Sequence, residues 1–390
     1  MTHHPQLRDA ASIVGIGHTK YSRSSGVSVL ALAVEAIQNA VRDAGLSIDD
    51  IDGIATHHVN DSPAPHQVAA ALGLDAVSWY HEEFGGGSKA PSVVGLAAMA
   101  CQSSIAKHVV VYRALNGRSG ARMGGSGGTV NVPITDVHFQ RPYGIVAASQ
   151  MYAMCAQAHM AAYGTSNEAL GTVAVVQRAQ AVDNMRAVMR EPITLDDYFD
   201  SRPITEPFRL LDCCLETDGA CAMVVTTTER ARDLPHPVVS LSGWAWGIGK
   251  NGFWSGADEL HVPSGPRRVA PRLYSMAGVT PGEIDVVEMY DAFTIAVLLQ
   301  LEGYGFCEPG ESGEFVLSGA TARGGQLPVN THGGLLSEGY IHGMNHIYEA
   351  VSQLRHTAGD RQVDNAEVAM STGQPGAITG MSSALIMRRL

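Results

Sequence analysis

Charge is scarce in this chain. Asp, Glu, Lys and Arg make up 16% of its 390 residues, and the acidic side dominates, giving a formal net charge of -12. A field of that sign argues against nucleic acid as a partner, although a local basic patch for the phosphates of a cofactor stays open. No apolar run reaches the roughly 18–20 residues that cross a bilayer. The opening stretch, residues 1–11, is polar and carries no secretory h-region. Cysteine is sparse: Cys101, Cys155, Cys213, Cys214, Cys221 and Cys307 form no CxxC pair and no metal-ligand spacing. The expectation is a cytoplasmic protein with reduced, mostly buried thiols and no metal of its own. Phosphate-loop signatures are also missing. Gly117, Gly120, Gly124, Gly125, Gly127 and Gly128 crowd one stretch. No GK[ST] ending and no GxGxxG after a strand accompany them, so a surface loop is expected there.

Apolar residues, at 45%, and glycine, at 43 residues, are plentiful. Together they predict a globular chain with a large core and many tight turns. One internal repeat is visible. Residues 44–54 read AGLSIDDIDGI and residues 277–287 read AGVTPGEIDVV. Each follows an amphipathic helical stretch, 29–43 or 265–276. Each puts a hydroxyl residue, Ser47 or Thr280, at an N-cap position, and then runs Ile-Asp into a strand, 53–58 or 285–290. Later elements match in order: glycine-led helices at 85–103 and 333–355, strands at 108–114 and 366–371, and closing strands at 219–226 and 382–388. Alternating strands and helices predict an α/β fold of two duplicated mixed-sheet halves. The first half takes residues 1–115 and 219–233, and the second takes 234–390. Residues 116–218, with helices at about 142–163 and 166–185, form an inserted loop domain.

Specific blocks carry a family resemblance. Residues 288–306, EMYDAFTIAVLLQLEGYGF, resemble the HDCF block of sterol-carrier-protein-type thiolases. Residues 330–343, NTHGGLLSEGYIHG, resemble their NxxGGLxxxGHPxG block, and residues 218–231 resemble the strand that closes their first half. The resemblance covers nearly the whole chain. It implies the thiolase fold, an α-β-α-β-α layering of the two halves, built as a dimer.

The departures concern chemistry. Thiolases carry an acyl-accepting cysteine in CxxGxxA, where a helix dipole favours the thiolate. Here that stretch reads Phe84-Gly85-Gly86-Gly87-Ser88-Lys89-Ala90, with Phe84 at the nucleophile position. Tyr340 stands at the histidine of GHP, Tyr290 at the histidine of HDCF, and Ser371-Thr372-Gly373 near the second cysteine. The flanking glycines persist, which argues for altered chemistry rather than decay. The pattern is similar to the thiolase-like lipid-transfer proteins that act as aldolases in bacterial steroid side-chain degradation. That likeness implies retro-aldol cleavage of a bulky β-hydroxyacyl-CoA: a 17-hydroxy steroid with a C3 side-chain thioester would give a 17-keto steroid and propionyl-CoA. It also implies a small zinc-ribbon/OB-fold acyl-CoA-binding subunit, which would hold any zinc, bound to a homodimeric core as a heterotetramer.

Retro-aldol cleavage needs no acyl-enzyme. A base takes the β-hydroxyl proton, the Cα–Cβ bond breaks, and fixed donors hold the enolate oxygen until its carbon is protonated. Tyr290 and Tyr340 are the candidate proton-transfer groups. His332 and Asp291 are further candidates, with His342 and His346 nearby. Gly85, Gly86, Gly87 and Gly334 are the candidate binding positions for the CoA thioester, through backbone N–H groups at helix starts. His57 and His58 read as structural, Lys89 as a solvated lysine, and Cys101 as core. Two other readings remain open: a non-catalytic acyl-CoA or sterol carrier, and a Claisen thiolase, which the missing cysteine opposes.

Overall fold

A computed structural model describes residues 7–120, 122, 140–249, 261, 264–376 and 380–390. The strands are β1 (Ala11–His18), β2 (Gly53–His58), β3 (Trp79–Phe84), β4 (Val109–Asn116), β5 (Pro203–Thr205), β6 (Phe208–Arg209), β7 (Asp218–Thr227), β8 (Val239–Ile248), β9 (Val286–Glu288), β10 (Val368–Thr372) and β11 (Met381–Arg389). Nine of them form one sheet in the order β3-β2-β4-β7-β1-β8-β11-β10-β9.

Read outward from its centre, that order is the same twice. β1 pairs antiparallel with β7, and β7 with β4; β4 then runs parallel to β2, and β2 to β3. On the other side β8 pairs antiparallel with β11, and β11 with β10, which runs parallel to β9. An isolated parallel bridge, Val287 to Val329, stands where a counterpart of β3 would pair. The duplication predicted from the repeat is therefore present. The two half-sheets are not separate, however: β1 and β8 join them through Ser12–Ser240 and Ile13–Val239.

The repeat itself occupies equivalent places. Ser47 and Thr280 cap short 3₁₀ turns, Ile48–Asp50 and Pro281–Glu283, in which Asp50 and Glu283 bond back to the cap amide. Beyond the turns, Asp52 accepts the amides of Lys107 and His108, and Asp285 accepts those of Glu367 and Val368. One aspartate in each half thus pins the strand entering β2 or β9 to the strand beside it. Even a close approach is duplicated. A side chain on Gly15 would meet the carbonyl of Ala40 in helix Val29–Asp43, and one on Gly243 would meet that of Leu273 in helix Ser264–Ala277.

Helices Val29–Asp43 and Ser264–Ala277 cover the outer faces of their halves, on β1, β7 and β4 and on β8 and β11. Helices Ala90–Gln102 and Met344–Leu354 touch strands of both halves and each other. Nearly every residue of these two is buried, as a central layer demands. That gives the α-β-α-β-α stacking. Between β4 and β7 come helices Ala148–Tyr163, Asn167–Ala181 and Leu195–Asp200, the last two packed on each other. The first two rest on Thr294–Gly303, and Asn167–Ala181 also on Gly334–Ser337. Most of the glycine-rich stretch at 117–128 lies outside the described residues. Among the described residues, no helix is long and apolar enough to cross a membrane.

The matching roles of Asp52 and Asp285 make a prediction. Each carboxylate satisfies two backbone amides, and a hydrogen bond to a charged group contributes about 1.5–3 kcal/mol when buried. Asp52→Ala and Asp285→Ala should each lower stability by about 1–2 kcal/mol, discounted for exposure. Urea denaturation tests this, and a clearly unequal pair of losses would break the equivalence.

Candidate active site

Tyr290 follows β9 at the seam between the two halves. Asn330 holds the preceding residue on both sides, accepting from the Met289 amide at 2.6 Å and donating to its carbonyl at 2.9 Å. The Tyr290 amide donates to Thr372 Oγ1 (3.1 Å), and its carbonyl accepts from Gln300 Nε2 (2.7 Å). Thr372, near the position of the second thiolase cysteine, thus serves as an anchor for the tyrosine backbone. Tyr340 stands in the loop Gly339–Gly343, its amide donated to Thr217 Oγ1 (3.1 Å). The two phenols meet with 2.7 Å between their oxygens. They are almost enclosed, at 3% exposure for Tyr290 and 8% for Tyr340.

The glycine loop before helix Ala90–Gln102 makes this pair possible. The Tyr290 ring lies so close to Gly87 that a Cβ there would sit 1.9 Å from Cε2 and 2.4 Å from the hydroxyl. Gly86 faces His342, whose Nε2 lies 3.4 Å from the place of a Cβ. Gly85, at φ +150°, lies under the Lys89 side chain. Lys89 itself is paired with Glu83 at 2.7 Å. Of the expected binding glycines, 86 and 87 adjoin the tyrosines. Gly334 does not: it backs onto Asp291, whose Oδ2 would lie 2.1 Å from a Cβ.

Burial raises both phenols well above the ordinary tyrosine range. Tyr340 reinforces this for Tyr290, and Cys214 does so for Tyr340. Each therefore holds its proton at neutral pH and is no free tyrosinate base. Sequence reasoning missed two neighbours. Tyr152, on helix Ala148–Tyr163, packs on Phe293 with 4.8 Å between ring centroids and lies within electrostatic reach of Tyr290. Cys214 interacts electrostatically with both members of the pair. No local motif marks either, because each comes from the segment between β4 and β7.

Phe84, at the nucleophile position of the motif, does not face the tyrosines. β3 alternates, so Trp79, His81 and Glu83 turn inward while Tyr80, Glu82 and Phe84 turn outward. Phe84 is 49% exposed and packs edge-on against His58 at 6.0 Å. The nucleophile's position is thus vacated rather than filled, and the glycines behind it carry the Tyr290 ring.

Asp291 and His332 occupy a buried layer behind the pair. The Asp291 carboxylate accepts the amides of Leu335 (2.8 Å) and Leu336 (3.2 Å) at the start of helix Gly334–Ser337, with His346 Nε2 at 3.2 Å. His332 Nδ1 stands 2.8 Å from Glu288, and its Nε2 stands 3.6 Å from Glu338. Burial alone would lower the His332 pKa. Glu338 and Glu288 outweigh it and raise the value to about 9. His332 is thus a cation at neutral pH and cannot accept a proton. Its ring reaches Tyr290 only through His346, at centroid steps of 5.0 and 6.4 Å. The structure therefore brings Tyr290 and Tyr340 together and sets Asp291 and His332 behind them.

Among the described residues, Glu288, His332 and His346 have the donor types and spacing of a metal centre, with ligand atoms within 4.8 Å of one another. The neighbouring carboxylates are already matched by fixed cations. Arg186 pairs with Glu338 and Glu349, Arg361 with Glu349, and His332 with Glu288. The layer is a network of paired charges that holds the second half's motif loops in place.

No cysteine offers an activated thiol. All six are free, and burial raises every one, to about 12 for Cys101, Cys155, Cys213, Cys221 and Cys307 and well above the ordinary range for Cys214. A protonated thiol is neither nucleophile nor leaving group. Replacing each cysteine in turn by Ser should therefore leave turnover within a few-fold. Mass spectrometry after incubation with an acyl-CoA should find no acyl-cysteine; a stable acyl adduct on Cys214 would overturn the reading.

Comparison with known proteins finds relatives along nearly the whole chain. Residues 254–389 match the family model for the thiolase C-terminal domain-like group. A steroid side-chain-cleaving aldolase of Thermomonospora curvata is 42% identical, over 96% of this chain and 98% of its own. A 17-hydroxy-3-oxo-4-pregnene-20-carboxyl-CoA lyase of Mycobacterium tuberculosis is 41% identical, over 96% of this chain and all of its own. Among solved structures, an Ltp2-ChsH2(DUF35) aldolase superposes with a TM-score of 0.92 at 40% identity, covering 98% of both chains.

Proposed function

Since the chain belongs to the thiolase-fold family of steroid side-chain-cleaving aldolases, we propose that it cuts a 17-hydroxy steroid C3-side-chain CoA thioester into a 17-keto steroid and propionyl-CoA. The observation that carries this reading is the 2.7 Å contact between two neutral phenols at the positions of two thiolase histidines.

The cleavage moves one proton from the β-hydroxyl oxygen to the α-carbon. A hydrogen-bonded pair of phenols suits that transfer without any free base. The substrate hydroxyl gives its proton to the nearer phenol oxygen. That phenol passes its own proton across the pair, and the second delivers one to the enolate carbon. An O–H and a C–C bond break, a C–H bond and a ketone carbonyl form, and neither tyrosine changes charge overall. Either tyrosine can stand nearer the hydroxyl. Asp291 and the His332 cation support the loops that carry the pair. A low-dielectric enclosure that would disfavour a tyrosinate also keeps water from the enolate.

The test is a pair of conservative variants. Phe preserves ring packing, so Tyr290→Phe and Tyr340→Phe should each slow cleavage by about 10²–10⁴-fold while the chain stays folded. With both phenols neutral, the rate should stay flat from about pH 6 to about pH 9. A rate that climbs tenfold per pH unit across that range would replace the relay by a tyrosinate base. Two Phe variants at full speed would remove the tyrosines from the mechanism. Wild-type protein that, together with its acyl-CoA-binding subunit, binds but never cleaves the thioester would favour the carrier reading.

We further propose a cytoplasmic assembly in which the segment 116–218 acts as an inserted loop domain over the site, and a small zinc-ribbon/OB-fold subunit presents the acyl-CoA. The name of the superposing aldolase, which includes a DUF35 component, supports the partner. The homodimeric core would form through β3. That edge strand shows an unpaired side with Tyr80 71% and Phe84 49% exposed, a surface usually covered. Co-expression with a candidate DUF35-type subunit should yield a complex by size exclusion, with two copies of this chain. Elution of this chain alone as a monomer would refute both the partner and the dimer.

A further inference from the structure

His342 lies two residues beyond Tyr340, at a position that corresponds to no thiolase catalytic residue in the GHPxG block. Its backbone takes φ +51°, a left-handed conformation uncommon outside glycine and maintained here by its surroundings. The ring is fully buried, 4.7 Å from the Tyr340 ring by centroids.

What fixes this imidazole is Arg113, a fully buried arginine in β4. Its Nε and Nη2 both approach His342 Nδ1, at 3.1 and 2.6 Å. The guanidinium is held in turn by Asp61 Oδ2 (2.6 Å) and Ser62 Oγ (2.9 Å). A guanidinium only donates. Nδ1 must therefore accept, and the single ring proton must sit on Nε2. Burial, and then the Arg113 charge, lower the His342 pKa to about 3, so the ring stays neutral throughout the working range.

Nε2–H is thus a donor of fixed tautomer, and among the described residues no hydrogen-bond partner satisfies it. It faces Gly86, beside the loop on which the Tyr290 ring rests. Among the described residues, no hydrogen bond takes up the amides of Gly86 or Gly87 either. A buried donor without a partner costs stability; one kept beside a reactive pair has a ligand to receive.

We propose that His342 Nε2–H donates to the thioester oxygen as negative charge gathers there during C–C cleavage, with Arg113 as its positioning residue. The inference rests on the retro-aldol reading. As the Cα–Cβ bond breaks, its electron pair moves into the thioester, and the carbonyl oxygen becomes the enolate oxygen. His342 stabilises that charge without giving up its proton, which leaves the proton traffic to the tyrosines. The ligand class is the enolate of a short acyl-CoA. The ketone half of the substrate plays no part in this contact.

The experiment uses propionyl-CoA alone, in D₂O, with the chain in the assembly in which it purifies. Enolate formation then appears as deuterium entering the α-carbon, read by mass spectrometry, beside cleavage of the full thioester. His342→Leu should slow both exchange and cleavage by about 10²–10³-fold with KM nearly unchanged, because the contact strengthens only in the transition state. His342→Gln, which keeps an N–H donor, should recover part of both rates and decides the matter if the Leu variant misfolds. Arg113→Met should release the imidazole to titrate, so that an acid limb appears in its pH profile where the wild type has none. Wild-type rates in folded His342→Leu, or a loss confined to KM and melting temperature, would overturn the proposal. If the wild type itself fails to cleave, the retro-aldol reading has failed instead.

Discussion

The contact of the Tyr290 ring with the backbone of Gly87 is the constraint around which the site is arranged. It joins a residue of the second half to a loop of the first, with no room for a Cβ between them. Once the ring lies there, its hydroxyl meets Tyr340 and the ring leaves no room for a side chain at position 87. The rest of the seam follows the same division. Arg113 and Thr217 come from the first half and its following segment; His342 and Tyr340 come from the second. Neither half contains a working site alone.

Duplication was legible in the sequence because it is written in local chemistry. Ser47 with Asp50 and Thr280 with Glu283 are capping boxes that any reader of caps can find. The tyrosine pair was legible because two motif blocks carried it to known positions. Phe84 was misplaced, since its direction depends on the phase of an edge strand rather than on its neighbours in sequence. Arg113 stands among the apolar residues of β4 with no motif around it, and its partner lies 229 residues away. The charge on His332 was invisible for the same reason, being set by Glu338 and Glu288, which meet it only in the fold.

Two electrostatic settings divide the interior. Behind the pair, acids and bases alternate at contact distance, so ionised groups persist without water. Around the pair, the phenols, the thiol of Cys214 and the ring of His342 are all held neutral, by burial above all. The first setting gives rigidity. The second gives a place where a transient anion would be the only unbalanced charge, and its nearest fixed dipoles would act on it with little screening.

Among the described residues, the half-sheets share two residue pairs, Ser12–Ser240 and Ile13–Val239. Each half has its own outer helix, its own strand ladder and its own capped turn. Across the midline the halves are held instead by helices Ala90–Gln102 and Met344–Leu354, which pack on strands of both and on each other. Gly87 lies just before the first of these helices and Tyr340 just before the second, so the seating of that central helix pair is also the seating of the two phenols.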